Sequence, residues 1–260
     1  MGNRFTIEQR EKLQKSILSL TDFELSEIQN LVKQFSKPMY FDYNHDSPWF
    51  NDEFCSAFGD VLRMHHTASK GPFTKDKFEF AMEKIFRLLG LQADLAKVDN
   101  PGEDITIDGI KCSLKTEAEK SLKRDTIHIS KYMELGKGKW EVESDLIGLR
   151  EQFFEHLTHY ERIFTLRCLQ RGPQLWEYEL VEIPKALFEE SAHYPIHMVK
   201  NSKQRDHKPA YCYVPEKGPD MKYALYFDGG GERKLQIKYL KKSLCTVQAT
   251  WRFLTEINQD

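Results

Sequence analysis

No apolar run in this 260-residue sequence approaches the ~18–20 residues of a membrane span. The stretch from Met1 to Lys15 is charged and polar, so a secretory signal is not expected. Cysteine is sparse: Cys55, Cys112, Cys168, Cys212 and Cys245 lie far apart, with no Cys-x-x-Cys pair and no histidine at zinc spacing. That scatter excludes a disulfide scaffold and a zinc finger, and it reads as free buried thiols in a reducing compartment. An excess of one charge is missing too, since 38 Lys+Arg face 40 Asp+Glu for a formal net charge of −2. A generic polyanion binder usually shows its footprint in that total. An enzyme that gathers bases on one face and acids elsewhere need not. Internal repeats and low-complexity tracts are also absent. What is present is a 40% hydrophobic, 12% aromatic composition, enough to bury a real core. The expectation is a soluble, cytoplasmic protein with one large domain or a core plus a small appendage.

Residues 6–35 carry apolar positions (Ile7, Leu13, Ile17, Leu18, Leu20, Phe23, Leu25, Ile28, Leu31, Val32) that fit one or two amphipathic helices, broken near Thr21 and Asp22. Phe35 to Trp49 is aromatic and interrupted by Pro38 and Pro48, which predicts a loop. The expected division is a helical N-terminal extension over 1–45 and a main domain over 46–260. Thr74–Leu89 reads as a helix stopped by Gly90. Asp104–Ile107 and Ile110–Thr116 read as strands joined by Asp108-Gly109, among the stronger local hairpin signals. A strand at Thr126–Ser130, a helix at Ser144–Tyr160 and strands at Arg162–Gln170 and Trp176–Ile183 follow. Then come a short helix at Pro184–Ser191, a polar, basic loop over 200–220, and a second hairpin of Tyr223–Phe227 and Lys234–Tyr239 around Asp228-Gly229-Gly230-Gly231. Cys245–Ile257 reads as strand turning to helix. The order predicts an α+β or mixed α/β domain.

With Asp108-Gly109 in the turn, Ile107 faces Ile110, Thr106 faces Lys111, Ile105 faces Cys112 and Asp104 faces Ser113. The period of two then puts Ile105, Ile107, Ile110, Cys112 and Leu114 on one face. Asp104, Thr106, Lys111, Ser113 and Lys115 share the other, with Glu117 beyond. A carboxylate and an ammonium on one wall are what phosphodiester hydrolysis needs: the acid anchors a hard divalent cation, and the lysine orients or deprotonates the nucleophile or stabilises charge on the phosphorus. Periodicity alone describes an ordinary surface hairpin, apolar in and polar out, equally well.

The string itself is more specific. Asp104, followed after eight residues by Ser113-Leu114-Lys115, resembles the PD-(D/E)XK nuclease signature. The run from Pro101 to Ile110, with Leu114-Lys115-Thr116-Glu117-Ala118, is similar to the SmaI family of type II restriction endonucleases. So are Ile127–Lys131, Met133–Gly138, His159–Arg167, Tyr226–Gly230 and Glu232–Lys238, which together span most of the chain. A more distant likeness is to the mismatch-repair nickase MutH, in the Leu-Lys-Thr core and the late Leu-Gln-Ile-Lys strand.

The resemblance implies a restriction-endonuclease-like mixed sheet flanked by helices, and Mg²⁺-dependent double-strand cleavage of CCCGGG with blunt ends. It implies a homodimer whose two-fold axis matches the palindrome. It further implies a cognate DNA methyltransferase in the same cell, without a stable complex. Asp104 is then the principal metal ligand and Lys115 the catalytic lysine, with the Leu114 carbonyl a further metal contact. This sequence departs from the pattern at Ser113, where the signature has a second acid. Glu117 on the same face and Glu79 on the preceding helix are the candidates to supply it, with Glu83 behind Glu79. Lys131 is placed at the scissile phosphate or on the phosphate backbone. The alternatives are a MutH-like nickase, a nuclease of other specificity, and an inactive DNA-binding relative silenced by Ser113.

Reading G·C pairs needs donors for guanine N7 and O6 and acceptors for cytosine N4. Lys200, Lys203, Gln204, Arg205 and Lys208, beside Tyr211 and Tyr213, form one candidate set, and Arg233, Lys234 and Lys238 form another. Which of them touch bases and which touch phosphates stays open. His65 and His66 are adjacent and should point apart, which argues against a shared metal. His159 and Tyr160 are expected to pack, and the four tryptophans carry no assigned role.

Overall fold

Capping chemistry starts the first two helices. In α1 (Ile7–Ile17) and α2 (Asp22–Phe35), a threonine hydroxyl accepts the N–H three residues on, whose own side chain accepts the threonine N–H. Each is a complete capping box. The computed structural model describes residues 5–97, 102–137, 139–172, 174–204 and 208–255. Helix α1 buries none of its residues. Helix α2 is tied down at its end, where Gln34 Nε2 donates to the Leu254 carbonyl and Arg63 donates to the carbonyls of Gln34, Phe35 and Lys37.

The segment expected as a loop contains a strand, β1 (Met39–Tyr43). Met39, Phe41 and Tyr43 turn inward while Tyr40 and Asp42 turn out, so the period of two holds and the prolines flank the strand instead of breaking it. Next comes α3 (Asp52–Ala68), a stretch that the sequence reading left unassigned. Asn51 caps it, and Phe54, Cys55, Phe58, Gly59, Leu62 and His66 form its buried stripe. Gly59 is required there: a Cβ would lie 2.2 Å from Met39 Sδ and 2.9 Å from the Trp251 ring.

Helix α4 (Lys75–Leu88) and the strands β2 (Ala93–Leu95), β3 (Ile105–Ile107), β4 (Ile110–Glu117) and β5 (Thr126–Glu134) follow. They lead to α5 (Asp145–Thr158), β6 (Arg162–Gln170), β7 (Trp176–Ile183), α6 (Lys185–Glu189) and β8 (Ile196–Met198). The chain continues through β9 (Ala210–Val214), β10 (Tyr223–Asp228), β11 (Lys234–Lys241) and β12 (Thr246–Phe253). Strand β9 sits inside the span expected to be loop, where Ala210, Cys212 and Val214 alternate into the core. The predicted helical turn after Cys245 is not seen among the described residues. Instead β12 runs as strand, because Ala249, Trp251 and Phe253 all face the same core.

The strands form two sheets. A seven-stranded sheet has the order β1-β12-β7-β6-β4-β3-β2, and a five-stranded sheet has the order β5-β11-β10-β9-β8. Among the described strands only β4 and β6 run parallel, across a crossover containing β5 and α5, so the larger sheet is mixed. Helices α3 and α4 cover one face of it, with Phe54, Phe58, Phe78 and Phe86 against Leu114, Phe164 and Trp251. On the other face, Ile163, Val181 and Ile183 pack with α5 and with the inner side chains of the smaller sheet. This is the α+β arrangement expected from the sequence.

Alternate residues of β4 therefore enter different surroundings. Cys112 and Leu114 enter the helix-side core, while Ser113, Lys115 and Glu117 are buried on the side of β5. Burial of that charge is compensated. Arg167 on β6 is fully buried and donates to Glu117 and Glu179 and to the carbonyls of Lys123 and Thr126. A buried guanidinium with its donors satisfied on several strands is the arrangement that makes such a charge tolerable.

Candidate active site

The hairpin has the register its sequence predicts: Ile105 opposite Cys112, Thr106 opposite Lys111, Ile107 opposite Ile110. Asp108 and Gly109 take φ of 48° and 83°, the left-handed pair that a two-residue turn between twisted strands requires. Ile110, expected in the core, is exposed beside this turn. The entry to the hairpin is held close to α5, since a Cβ on Gly102 would lie 2.8 Å from that of His159.

Asp104 ends up at a convergence of donors. Its Oδ2 accepts from the Leu114 N–H at 2.6 Å and from the Ser113 hydroxyl at 3.1 Å. Lys115 Nζ lies 3.8 Å from the same oxygen, and Lys75 Nζ lies 2.7 Å from Oδ1. Lys75 also reaches Glu79 Oε1 at 2.8 Å, so one ammonium bridges the two carboxylates. Ser113 thus serves Asp104 as a donor, locking its carboxylate from the strand position where the signature has an acid.

The electrostatics follow from burial and neighbours. Burial alone would raise the Asp104 carboxyl, but Lys115, Lys75 and the Leu114 N–H override it and hold the group below the usual carboxylate range. Burial lowers the Lys115 ammonium below the usual lysine range, against the opposing pull of Asp104. Glu79 is raised, chiefly by desolvation, despite its contact with Lys75.

Beside this cluster opens a cavity of ≈ 350 Å³, with Lys75, Lys115 and Lys131 on its walls together with Thr116, Ser130 and Tyr132. Lys131 Nζ pairs with Glu134 at 2.8 Å and with Glu232. Tyr132 lies under Lys115, 5.4 Å from Nζ to ring centre, and its hydroxyl meets that of Tyr160 at 2.7 Å.

The structure therefore brings together Asp104, Lys115, Glu79 and, across the cavity, Lys131. Leu114 joins them through its backbone. Glu117 stands on the same strand face, but its oxygens are engaged by Arg167 and the His128 N–H. Glu83 pairs with Arg87 at 2.9 Å, and the Leu95 N–H lies 3.4 Å from the same Oε1. Lys75 was not anticipated, although its spacing four residues before Glu79 on a helix was a usable signal. Asp104 and Glu79 are the carboxylates able to hold a cation here, and a hard ion that keeps several waters needs few protein ligands. Their fit is visible in the site itself, because a positive charge already sits between them.

The expected recognition residues lie mostly on or beside the outer face of the smaller sheet. Lys238 Nζ sits 3.5 Å above the Tyr226 ring, and Tyr211 and Tyr226 adjoin. Gln204 donates to Asp228 at 2.8 Å, and so does Gln236, which in turn accepts from His128. Lys234 pairs with Glu232 at 3.4 Å. Arg233 stacks on Trp140, whose indole N–H donates to the Lys208 carbonyl. Lys203 is exposed, and Arg205 lies outside the described residues. Trp140 therefore has a place beside this surface that the sequence did not suggest. His65 and His66 do point to different partners, Gly71 and Tyr178.

Comparison with known proteins gives this geometry its context. The family model for SmaI, type II site-specific deoxyribonuclease, matches residues 13–253. The type II restriction enzyme SmaI of Serratia marcescens is 47% identical over 206 residues, covering 79% of this chain and 81% of that enzyme. No solved structure matches the chain. With a family model spanning nearly its whole length, and a Leu114–Lys115 strand poised against Asp104, the chain belongs to the SmaI family of type II site-specific deoxyribonucleases.

Proposed function

We propose that this deoxyribonuclease cuts both strands of DNA at CCCGGG in the presence of Mg²⁺, leaving blunt ends, and that it acts as a homodimer. The observation that carries the reading is the convergence of Lys115, Asp104 and Glu79 around a cation position at the mouth of a lysine-lined cavity. It is a PD-(D/E)XK site in which Asp104 and Glu79 hold the metal, and the Leu114 carbonyl assists. When bound, Mg²⁺ supplies charge neutralisation on the scissile phosphate and activation of water.

The chain's own residues do the rest. Ser113 and the Leu114 N–H fix the Asp104 carboxylate, so it need not reorganise when the substrate arrives. Lys115 faces the reacting phosphate, its proton affinity reduced by burial, and orients or deprotonates the attacking water. Lys131 engages the phosphate from the opposite wall. Glu117 keeps a structural role with Arg167. Lys203, Gln204, Arg205, Lys208, Arg233, Lys234 and Lys238 form the DNA surface, with Lys238 and Gln204 nearest the polar network of the outer sheet. A methyltransferase in the same cell protects the host's own sites.

Digestion of a plasmid with one CCCGGG site, with Mg²⁺ and with EDTA, tests the proposal. Metal-dependent linear product with blunt ends is expected. Open circle without linear product would instead point to a nickase, and discrete cuts elsewhere would overturn the specificity.

A further inference from the structure

Lys75 is a charged group in contact with both carboxylates of the site that the proposed chemistry leaves unused. It opens α4, four residues before Glu79, and a helical i,i+4 pair would by itself be an ordinary surface feature. Yet the same ammonium crosses to the hairpin and binds Asp104 Oδ1 at 2.7 Å, 29 positions away in sequence. It is thereby placed between the two carboxylates assigned to the metal, where two positive charges cannot sit together. Lysine suits a temporary occupant: it is a compact point charge on a flexible four-carbon stem, with no fixed fork geometry to give up on leaving. It also has somewhere to go. The side chain is 40% exposed and borders the cavity that Lys115 and Lys131 line, so a small rotation about the stem carries Nζ toward a bound phosphate.

We propose that Lys75 is a resident stand-in for the metal: its ammonium holds Asp104 and Glu79 together in the free protein and moves to a DNA phosphate when substrate binds. Metal loading is thereby coupled to DNA binding, and the free protein is a poor metal binder. The inference rests on the assignment of Asp104 and Glu79 as the metal ligands. Reciprocity is built in, since whatever the metal and the ammonium lose by competing for one position, DNA restores by drawing the ammonium away.

The test is Mn²⁺ binding, followed by electron paramagnetic resonance with no DNA present, in the wild type, Lys75→Met and Asp104→Asn. Lys75→Met is expected to bind Mn²⁺ more tightly than the wild type by a coupling of ordinary size, about 5–150-fold. A CCCGGG duplex with non-cleavable linkages should raise the affinity of the wild type and raise that of Lys75→Met by a smaller factor. The metal-free Lys75→Met protein should also melt below the wild type, because its two carboxylates lose their shared cation, and Lys75→Gln should behave as Lys75→Met does. Asp104→Asn should lose the Mn²⁺ signal. If it keeps the wild-type affinity, the metal assignment falls and the proposal with it. If Asp104→Asn is silent and both Lys75 variants bind Mn²⁺ no more tightly than the wild type, the role of Lys75 alone is overturned.

Discussion

At the scale of single residues, position 113 shows how a side chain can look like a loss and act as a support. Read as a string, Ser113 is a missing acid, because the signature there calls for a carboxylate. In the folded site its hydroxyl donates to Asp104, next to the Leu114 N–H, and the second carboxylate within reach of the same cation position belongs to Glu79 on another element. Lys115 was legible from spacing because strand alternation assigns faces without reference to the rest of the fold. Its burial was not, since alternation within β4 does not say that β5, in the other sheet, closes that side. Lys115→Ala is expected to abolish plasmid cleavage while specific duplex binding in Ca²⁺ stays within a few-fold of the wild type, as for an interaction used only in the transition state. A gel shift alongside the digest checks this, and parallel loss of both activities would remove the lysine from its assigned role.

At the scale of elements, legibility followed how local each signal was. The Asp108-Gly109 hairpin, the capped helices α1 and α2, and the strands β6 and β7 could be read directly, because their turns, caps and alternation lie within a few residues. Strand β1 was hidden by its flanking prolines and needs β12 as a partner at the far end of the chain. Strand β9 was hidden in a polar stretch by its own flanking prolines, Pro209 and Pro215, although its partners β8 and β10 are its neighbours in the chain. The buried network that ties β4, β6 and β7 is equally non-local: Arg167 answers Glu117 and Glu179 from separate strands. Arg167→Met leaves the buried Glu117 without its cation and Glu179 with Lys242 alone, and the expected loss is about 3–5 kcal/mol of unfolding free energy. Urea unfolding measures it. A loss well under ~1 kcal/mol would mean that water at Glu117 and Lys242, already 2.9 Å from Glu179, compensate for the missing guanidinium.

At the scale of the whole molecule, stability should carry a pH signature from a group remote from the chemistry. His66 is buried, stacks on Trp176 at 3.5 Å, and sits in a chain of bonds from the Phe73 N–H to Tyr178, from Tyr178 to His66, and from His66 to the Ser69 carbonyl. The neutral ring satisfies that chain, and burial holds its pKa down to about 3. The unfolded histidine titrates near ~6.5. The unfolded chain therefore takes up the proton first as pH falls, so this contribution is whole above ~6.5 and is lost between there and about 3. His66→Gln is expected to remove up to about 1.4 kcal/mol per pH unit from the slope in that window. Unfolding curves at pH 7, 5.5 and 4 for both proteins decide the matter, and parallel slopes would show that His66 titrates normally.

The two hydrophobic cores lie on opposite faces of the larger sheet, and β4 is one of the strands between them. β4 sends Cys112 and Leu114 into the layer under α3 and α4, and Ser113, Lys115 and Glu117 to the layer beneath β5. A backbone that is the shared wall of two compartments cannot fray into solvent while either compartment stands. The amides of Leu114 and Lys115 then exchange with deuterium only when the entire molecule opens. Lys115 so rides on the last part of the protein to let go, and heat should silence the enzyme in a single step, at the temperature where the whole fold is lost.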